Sequence, residues 1–176
     1  MPSSRLLIAL TNSLKQCQDI TKAPSEEKAV DESAVGRTGK PFTMQVELGK
    51  VREFARATKS RNSAYSEGEH PISPVTFLAS SIFWQGPETS AWGDEPRNFE
   101  RILHGEQEFV FHGPPPRAGA KLTGQQRIDK VYEKEGRRGG TMHFIEIVTE
   151  FRDESGELVA ESRGTSIETS RPPSEG

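Results

Sequence analysis

A polar stretch near the middle of the chain contains the side chains best suited to acid–base chemistry. The segment SRNSAYSEGEHPISPVTF, residues 60–77, places Asn62, Tyr65 and His70 just before an apolar run. An imidazole titrates near neutral pH and can take or give a proton, whereas an amide or a phenol can hydrogen-bond a substrate oxygen. His70, Tyr65 and Asn62 are therefore the candidate catalytic residues. The structural alternative is a solvated loop histidine beside a packed loop tyrosine.

Two helical patterns flank this polar stretch. On its N-terminal side, LGKVREFARATK spaces Val51, Phe54, Ala55 and Thr58 as one apolar stripe, which predicts an amphipathic helix. On its C-terminal side, Ser73-Pro74 predicts an N-cap followed by proline at the first helical position. The run VTFLASSIFWQ behind it is apolar on nearly every side and ends before Gly86-Pro87. It predicts a helix that is buried on most of its faces.

The second half of the chain alternates with a period of two residues, which is typical of strands. Phe109 and Phe111 share one face of the first such strand, and Glu106 and Glu108 share the other, solvated face. An isolated weak edge strand is predicted at 42–46. The later strands are predicted at 121–133, 141–151 (central) and 158–169, with turns at 135–140 and 153–156. Consecutive antiparallel strands after two helices predict an α+β fold, in which the sheet curls around the apolar helix.

The chain's length and composition predict one folded domain with polar ends. It has 176 residues, and only 32% of them are hydrophobic, so part of the chain is not expected to pack. We expect an N-terminal extension at 1–34, helical or disordered, a domain at 35–169 and a disordered tail at 170–176. The N-terminal residues lack acids before Asp19, which leaves an organelle transit peptide as an alternative to a cytoplasmic protein.

Charge and cysteine content argue against several classes of partner. The net charge is −3 and no basic block with interleaved aromatic residues occurs, so we expect no nucleic-acid partner. The only cysteine is Cys17, without a CxxC or Cys/His cluster, so we expect neither a disulfide scaffold nor a metal site. No apolar run is long enough to predict a membrane span.

Several segments resemble the N-terminal domain of MaoC-type acyl dehydratases and (R)-specific enoyl-CoA hydratases. They are "HPISPVTF", "ILHGEQEFVFHGPPPRAGAKLTG" and "YEKEGRRGGTMHFIEIVTEFRDESGELVAESRGTSIET", and the similarity extends from about Val35 to Thr169. The resemblance implies a hot-dog fold, in which an antiparallel sheet wraps a long central helix. It also implies that the substrates are acyl thioesters of coenzyme A or acyl carrier protein, and that no other cofactor is needed. Members interconvert trans-2-enoyl and (R)-3-hydroxyacyl thioesters and commonly pair two hot-dog units.

Catalytic members of this family have an Asp-x-Asn-Pro-x-His motif in the loop before the central helix. The matching positions here are Ser60 for the aspartate and Tyr65 for the histidine, and only Asn62 is retained. The resemblance therefore implies a site that has lost its acid–base pair.

The family also implies which residues would line an acyl tunnel. They lie at the start of the central helix, where backbone N–H groups are available: Ser73, Pro74, Val75, Thr76 and Phe77. An ordinary capped helix start would explain the same residues.

Together these observations predict one subunit of an acyl-thioester hydratase/dehydratase that is inactive alone. A second hot-dog subunit would supply the catalytic aspartate and histidine. Three alternatives stay open: a self-sufficient homodimeric hydratase with rearranged residues, a hot-dog thioesterase, and an acyl-binding subunit without turnover.

Overall fold

The computed structural model describes residues 32–93, 97, 99–136 and 140–170. Its strands are β1 (Phe42–Gln45), β2 (Ile102–Phe111), β3 (Lys121–Glu135), β4 (Thr141–Arg152) and β5 (Leu158–Thr169). Between β1 and β2 lie one α-helix, α1 (Leu48–Ala57), and an eight-residue 3-10 helix (Phe77–Trp84). Short 3-10 turns occupy Glu32–Ala34, Ser63–Tyr65, Pro87–Thr89 and Phe99–Arg101.

The five strands form one antiparallel sheet in the order β1-β3-β4-β5-β2. This order confirms the predicted edge strand β1 and the predicted central strand β4. The period-two pattern that predicted the strands is visible in β3, where Leu122 and Gly124 are buried and Thr123 and Gln125 are exposed. The α+β class predicted from the sequence is therefore confirmed.

The main hydrophobic core lies between the sheet and the two helices. Phe77 of the 3-10 helix packs edge-to-face against Phe54 of α1, with ring centroids 5.5 Å apart. Across the sheet, Phe42 packs edge-to-face against Phe151 at 6.3 Å. Gly124 makes room for this pair, because a Cβ at that position would lie 2.3 Å from Cζ of Phe42. The buried members of this core are Phe42, Met44, Val46, Val51, Phe77, Leu78, Ala118, Leu122, Phe151 and Ala160.

A second, smaller core covers the far end of β3 and β4. It joins Ala34 to the loop residues Ala91 and Trp92 and to strand residues that include Ile128 and Ile145. Ala34, the last residue of the predicted N-terminal extension, is buried in this core. Residues 1–31 of that extension and 171–176 of the predicted tail lie outside the described residues.

Helix α1 and the last hairpin match their predictions closely. Val51 and Ala55 of α1 are buried, as the apolar stripe predicted. At the turn after β4, Oδ1 of Asp153 accepts hydrogen bonds from the backbone N–H groups of Ser155 and Glu157. The hydrogen bond from the Ser155 hydroxyl is the largest cause that lowers the pKa of Asp153.

The prediction for the central helix was wrong in its start, its length and its burial. The helix begins at Phe77 with Thr76 in the N-cap position, whereas Ser73 and Pro74 lie in the segment before it. It is a 3-10 helix of about 16 Å, since that geometry rises about 2 Å per residue. Phe77, Leu78 and Ser81 are buried, but Ile82 is 66% exposed and Phe83 is 79% exposed. An apolar pattern around a helix requires a covering surface but does not say which chain supplies it.

Candidate functional site

The loop before the central helix is held by hydrogen bonds to the main chain. Oδ1 of Asn62 accepts from the N–H of Ala64 at 3.1 Å and so caps the turn Ser63–Tyr65. Oγ of Ser60 accepts from the N–H of Asn62 at 3.3 Å. Two positions that align with the catalytic motif, 60 and 62, are thus used to shape the loop.

Two arginines that the sequence analysis did not assign to the site fix the course of this loop. Arg52 on α1 donates from Nε to the carbonyl of Ser66 and from Nη2 to the carbonyl of Gly68, at 3.0 and 2.9 Å. Arg117 donates from Nη1 to the carbonyl of His70 at 3.1 Å. Neither contact has a sequence signal, because an arginine on a polar helix face or in a loop gives no indication of which carbonyls it will meet.

His70 is exposed, and one of its ring nitrogens is bound to the main chain. Nδ1 lies 2.9 Å from the carbonyl oxygen of Ala118. A carbonyl can only accept, so Nδ1 carries the proton and Nε2 of the neutral ring has a free lone pair. Among the described residues, no carboxylate lies within ion-pair distance of His70.

The three predicted catalytic residues are not brought together into one hydrogen-bonded group. Asn62 and His70 each bind the main chain, and Tyr65 is half-buried in the turn that Asn62 caps. No hydrogen bond between any two of these three side chains occurs in the part of the chain that the structure describes. Within the described loop, these three side chains therefore do not form an assembled acid–base pair.

The predicted tunnel residues divide into a buried and an exposed set. Ser73, Pro74 and Phe77 are buried, whereas Val75 and Thr76 are exposed. The backbone N–H of Ser73 donates to the carbonyl of Pro116 at 2.8 Å, but its hydroxyl has no hydrogen-bond partner among the described residues. A buried hydroxyl without a partner is energetically unfavourable and is a reason to look for a ligand or a water at this point.

An open groove of about 380 Å³ runs between α1 and the 3-10 helix. Its walls are mainly apolar, and Phe77 is the one predicted tunnel residue that lines it. Lys50 stands at the groove and also lies 5.6 Å from the ring of Trp84. The complete lining is Lys50, Glu53, Phe54, Ala57, Phe77, Ser80 and Phe83.

The opposite face of the sheet carries a shallow cavity of about 260 Å³ lined mainly by charged side chains. These charges pair with one another: Arg127 with Asp129 at 2.8 Å and Lys130 with Glu146 at 2.9 Å. The hydrogen bond to Asp129 is the largest cause that raises the pKa of Arg127. Such mutual pairing is typical of a solvated sheet face and agrees with the predicted wet side of the strands.

The described residues contain no group of three or more His, Cys, Asp or Glu side chains placed to hold a metal ion. Within the same residues, no helix has both the length and the apolar character needed to cross a lipid bilayer.

Comparison with known proteins identifies relatives of the whole domain. The family model described as "FAS1-like, dehydratase domain region" matches residues 33–162. A UPF0336 protein of Streptomyces coelicolor is 34% identical over 141 residues, which cover 74% of this chain and 89% of that protein. A UPF0336 protein of Saccharopolyspora erythraea is 28% identical over 151 residues, covering 78% of this chain and 90% of that protein.

Solved structures share the fold at lower sequence identity. The HadBC (3R-hydroxyacyl-ACP dehydratase) complex of Mycobacterium tuberculosis aligns with a TM-score of 0.64 and 24% identity, covering 80% of this chain and 99% of that one. The ChsH1–ChsH2 complex of the same organism aligns with a TM-score of 0.58 and 14% identity, covering 94% and 95%. The likeness confirms the hot-dog fold that the sequence resemblance implied.

Proposed function

Because this chain belongs to the family of FAS1-like dehydratase domain regions, we propose that it is one subunit of an acyl-thioester hydratase/dehydratase. The reaction adds water to a trans-2-enoyl thioester: the water oxygen bonds to C3, its proton goes to a base, and a proton is delivered to C2. Dehydration runs the same steps backwards. The acyl group is carried on coenzyme A or on acyl carrier protein.

The main support for this proposal is that the described loop at 60–70 lacks an assembled acid–base pair. A base and an acid must stand together for this reaction, and each contributes roughly 10²–10⁴-fold to the rate. Here Ser60 and Asn62 hold the loop together, Tyr65 stands where the family has histidine, and His70 is oriented by a main-chain carbonyl. We infer that a partner hot-dog subunit supplies the catalytic aspartate and histidine.

This chain would then contribute binding surface. The segment just before the 3-10 helix presents Val75 and Thr76 to solvent, and a backbone N–H there can donate to the thioester carbonyl. The unpartnered hydroxyl of Ser73 is a further donor at the same place. The groove beside Phe77 would accommodate part of the acyl chain.

The need for a partner is supported by the uncovered apolar side of the helix. Ile82 and Phe83 on the helix, and Val75 just before it, are each more than half exposed, which is unusual for large apolar side chains so close together. Two of the similar structures are complexes of different subunits. A second hot-dog domain meeting this side and the free edge of β2 would cover both.

The test is reconstitution with a hot-dog subunit that carries the Asp-x-Asn-Pro-x-His motif. We expect the mixture to hydrate crotonyl-CoA, and substitution of the motif's aspartate or histidine in that subunit to abolish the activity. Activity that survives both substitutions would assign the chemistry to this chain.

His70 defines a second candidate function, a self-sufficient homodimeric hydratase. The observation that favours it is the free lone pair on Nε2, which follows from the contact of Nδ1 with Ala118. In that case His70 would be the base, and the substitutions described in the Discussion separate the two functions.

A further inference from the structure

The free edge of the sheet carries two carboxylates side by side. Strand β2 pairs with β5 and has no strand on its other side among the described residues. Glu106 and Glu108 on β2 are both exposed and, being two residues apart, point to the same face of the sheet. An edge strand offers unpaired N–H and C=O groups to any strand that can lie beside it. We call Glu106 and Glu108 the β2 carboxylates.

Nearby cations neutralise the β2 carboxylates only in part. Nη1 of Arg163 lies 3.6 Å from Oε2 of Glu108, but the same guanidinium lies 3.1 Å from Glu161. No basic side chain lies within ion-pair distance of Glu106 in the part of the chain that the structure describes. The edge therefore keeps an excess of negative charge.

Pairing of β2 with a second copy of itself would bring these charges together when the two-fold axis lies at residues 106–108. In a two-fold symmetric antiparallel pair, directly opposed side chains lie on the same face. With the axis at Gln107, each Glu106 faces the Glu108 of the other copy, so that four carboxylates meet. With the axis at Glu106 or Glu108, that carboxylate faces its own copy. Like charges directly opposite each other destabilise a strand pair.

We propose that the β2 carboxylates select against self-pairing and in favour of a different hot-dog chain whose edge strand carries lysine or arginine opposite them. This inference rests on the proposed function for the presence of a hot-dog partner, and adds what that partner's edge must look like. Charge complementarity at strand edges can determine which chains pair. Like charges destabilise the wrong pair, and opposite charges stabilise the right one.

Self-association of the chain alone tests the selection against like charge. Sedimentation equilibrium would compare the wild-type chain with the double variant Glu106→Gln/Glu108→Gln. The control Glu154→Gln/Glu157→Gln makes the same charge change at the exposed turn after β4. We expect the homodimer dissociation constant to fall on the order of tenfold in the β2 variant and to stay unchanged in the control.

Salt gives the same test without any substitution. Raising NaCl from about 0.1 M to about 1 M shortens the Debye length from about 10 Å to about 3 Å. The wild-type homodimer should tighten over that range, and the β2 variant should lose this salt dependence.

A charge-reversed variant of the same chain can serve as the partner with a basic edge strand. Native mass spectrometry of wild type mixed with Glu106→Lys/Glu108→Lys should show more mixed dimer than random association gives. The proposal would be overturned if the wild-type and lysine chains formed dimers at random. It would also be overturned if the homodimer dissociation constant of Glu106→Gln/Glu108→Gln were unchanged, or if that glutamine variant stayed monomeric. None of these measurements involves turnover, so they stand even if no hydratase activity is ever reconstituted.

Discussion

Nδ1 of His70 lies 2.9 Å from the carbonyl oxygen of Ala118, which fixes the tautomer of the ring. The neighbouring Gly119 has a positive φ of 99°, and a Cβ there would lie 3.2 Å from the same Nδ1. The backbone after the prolines is thus shaped to receive this ring. The contact gives His70 a structural role, because it ties the loop before the 3-10 helix to the segment that leads into β3.

Substitution of His70 separates the structural role from the chemical one. We expect His70→Ala in the reconstituted pair to lower kcat/KM by less than about tenfold, since a true acid–base group contributes roughly 10²–10⁴-fold. His70→Asn is the matched variant, because its amide keeps a donor near Ala118 and removes the base. Steady-state kinetics in which both variants lose a hundredfold or more would make His70 the base of this enzyme.

Two substitutions on the 3-10 helix test its buried and exposed sides. Phe77 is 1% exposed, so Phe77→Asp places a charge in the core, at a cost of several kcal/mol, and should prevent folding. Phe83 is 79% exposed, so Phe83→Asp should leave the isolated chain folded while abolishing its pairing with the catalytic hot dog. Circular dichroism and size-exclusion chromatography distinguish these results. A Phe83→Asp chain that still pairs normally would move the interface away from this helix.

Removal of the Ser73 hydroxyl should affect the stability of the chain and the activity of the reconstituted pair in different directions. The hydroxyl is buried without a hydrogen-bond partner among the described residues, so Ser73→Ala should leave the melting temperature of the isolated chain unchanged or higher. If the hydroxyl donates to the bound thioester, the same variant should lower kcat/KM of the reconstituted pair by about tenfold, the value of roughly one such hydrogen bond. Equal activity in wild type and variant would remove Ser73 from the binding site.

Substitution of Gly124 tests the packing of the sheet against the helices. Gly124→Ala would push a methyl group into the ring of Phe42, and overpacking of this kind costs about 1–3 kcal/mol. Gly49→Ala on α1 is the control, because nothing lies within 4 Å of the added Cβ. Urea denaturation should show a loss for the first variant and no loss for the second. Equal stability of both would mean that Phe42 can move aside freely.

The strands and α1 could be predicted because their signals are local. Alternation at Phe109 and Phe111 and the stripe through Val51 and Ala55 arise from contacts that each element makes along its own length. The sheet order could not be derived from periodicity, since which strands pair depends on long-range contacts; the sequence predicted only an edge strand at 42–46 and a central strand at 141–151.

The candidate site was predictable only in its location. The sequence predicted a site around His70 and Phe77. It did not indicate the hydrogen bonds from Arg52 to the loop carbonyls, or that the Ser73 hydroxyl would have no partner among the described residues. Both depend on how a loop without regular structure crosses another element. The burial of the helix was wrongly predicted because Ile82 and Phe83 look like core residues, although they stay exposed in the part of the chain that the structure describes.

The most direct test of the central claim is the hydration of crotonyl-CoA by the purified chain alone. The family resemblance matches Ser60 and Tyr65 to the aspartate and histidine of the motif. Since such groups contribute roughly 10²–10⁴-fold each, we expect a rate barely above the uncatalysed background. Adding a hot-dog subunit with an intact Asp-x-Asn-Pro-x-His motif should raise the rate by orders of magnitude. Robust turnover by the isolated chain would contradict the division of labour proposed here and would place the catalytic base within this subunit.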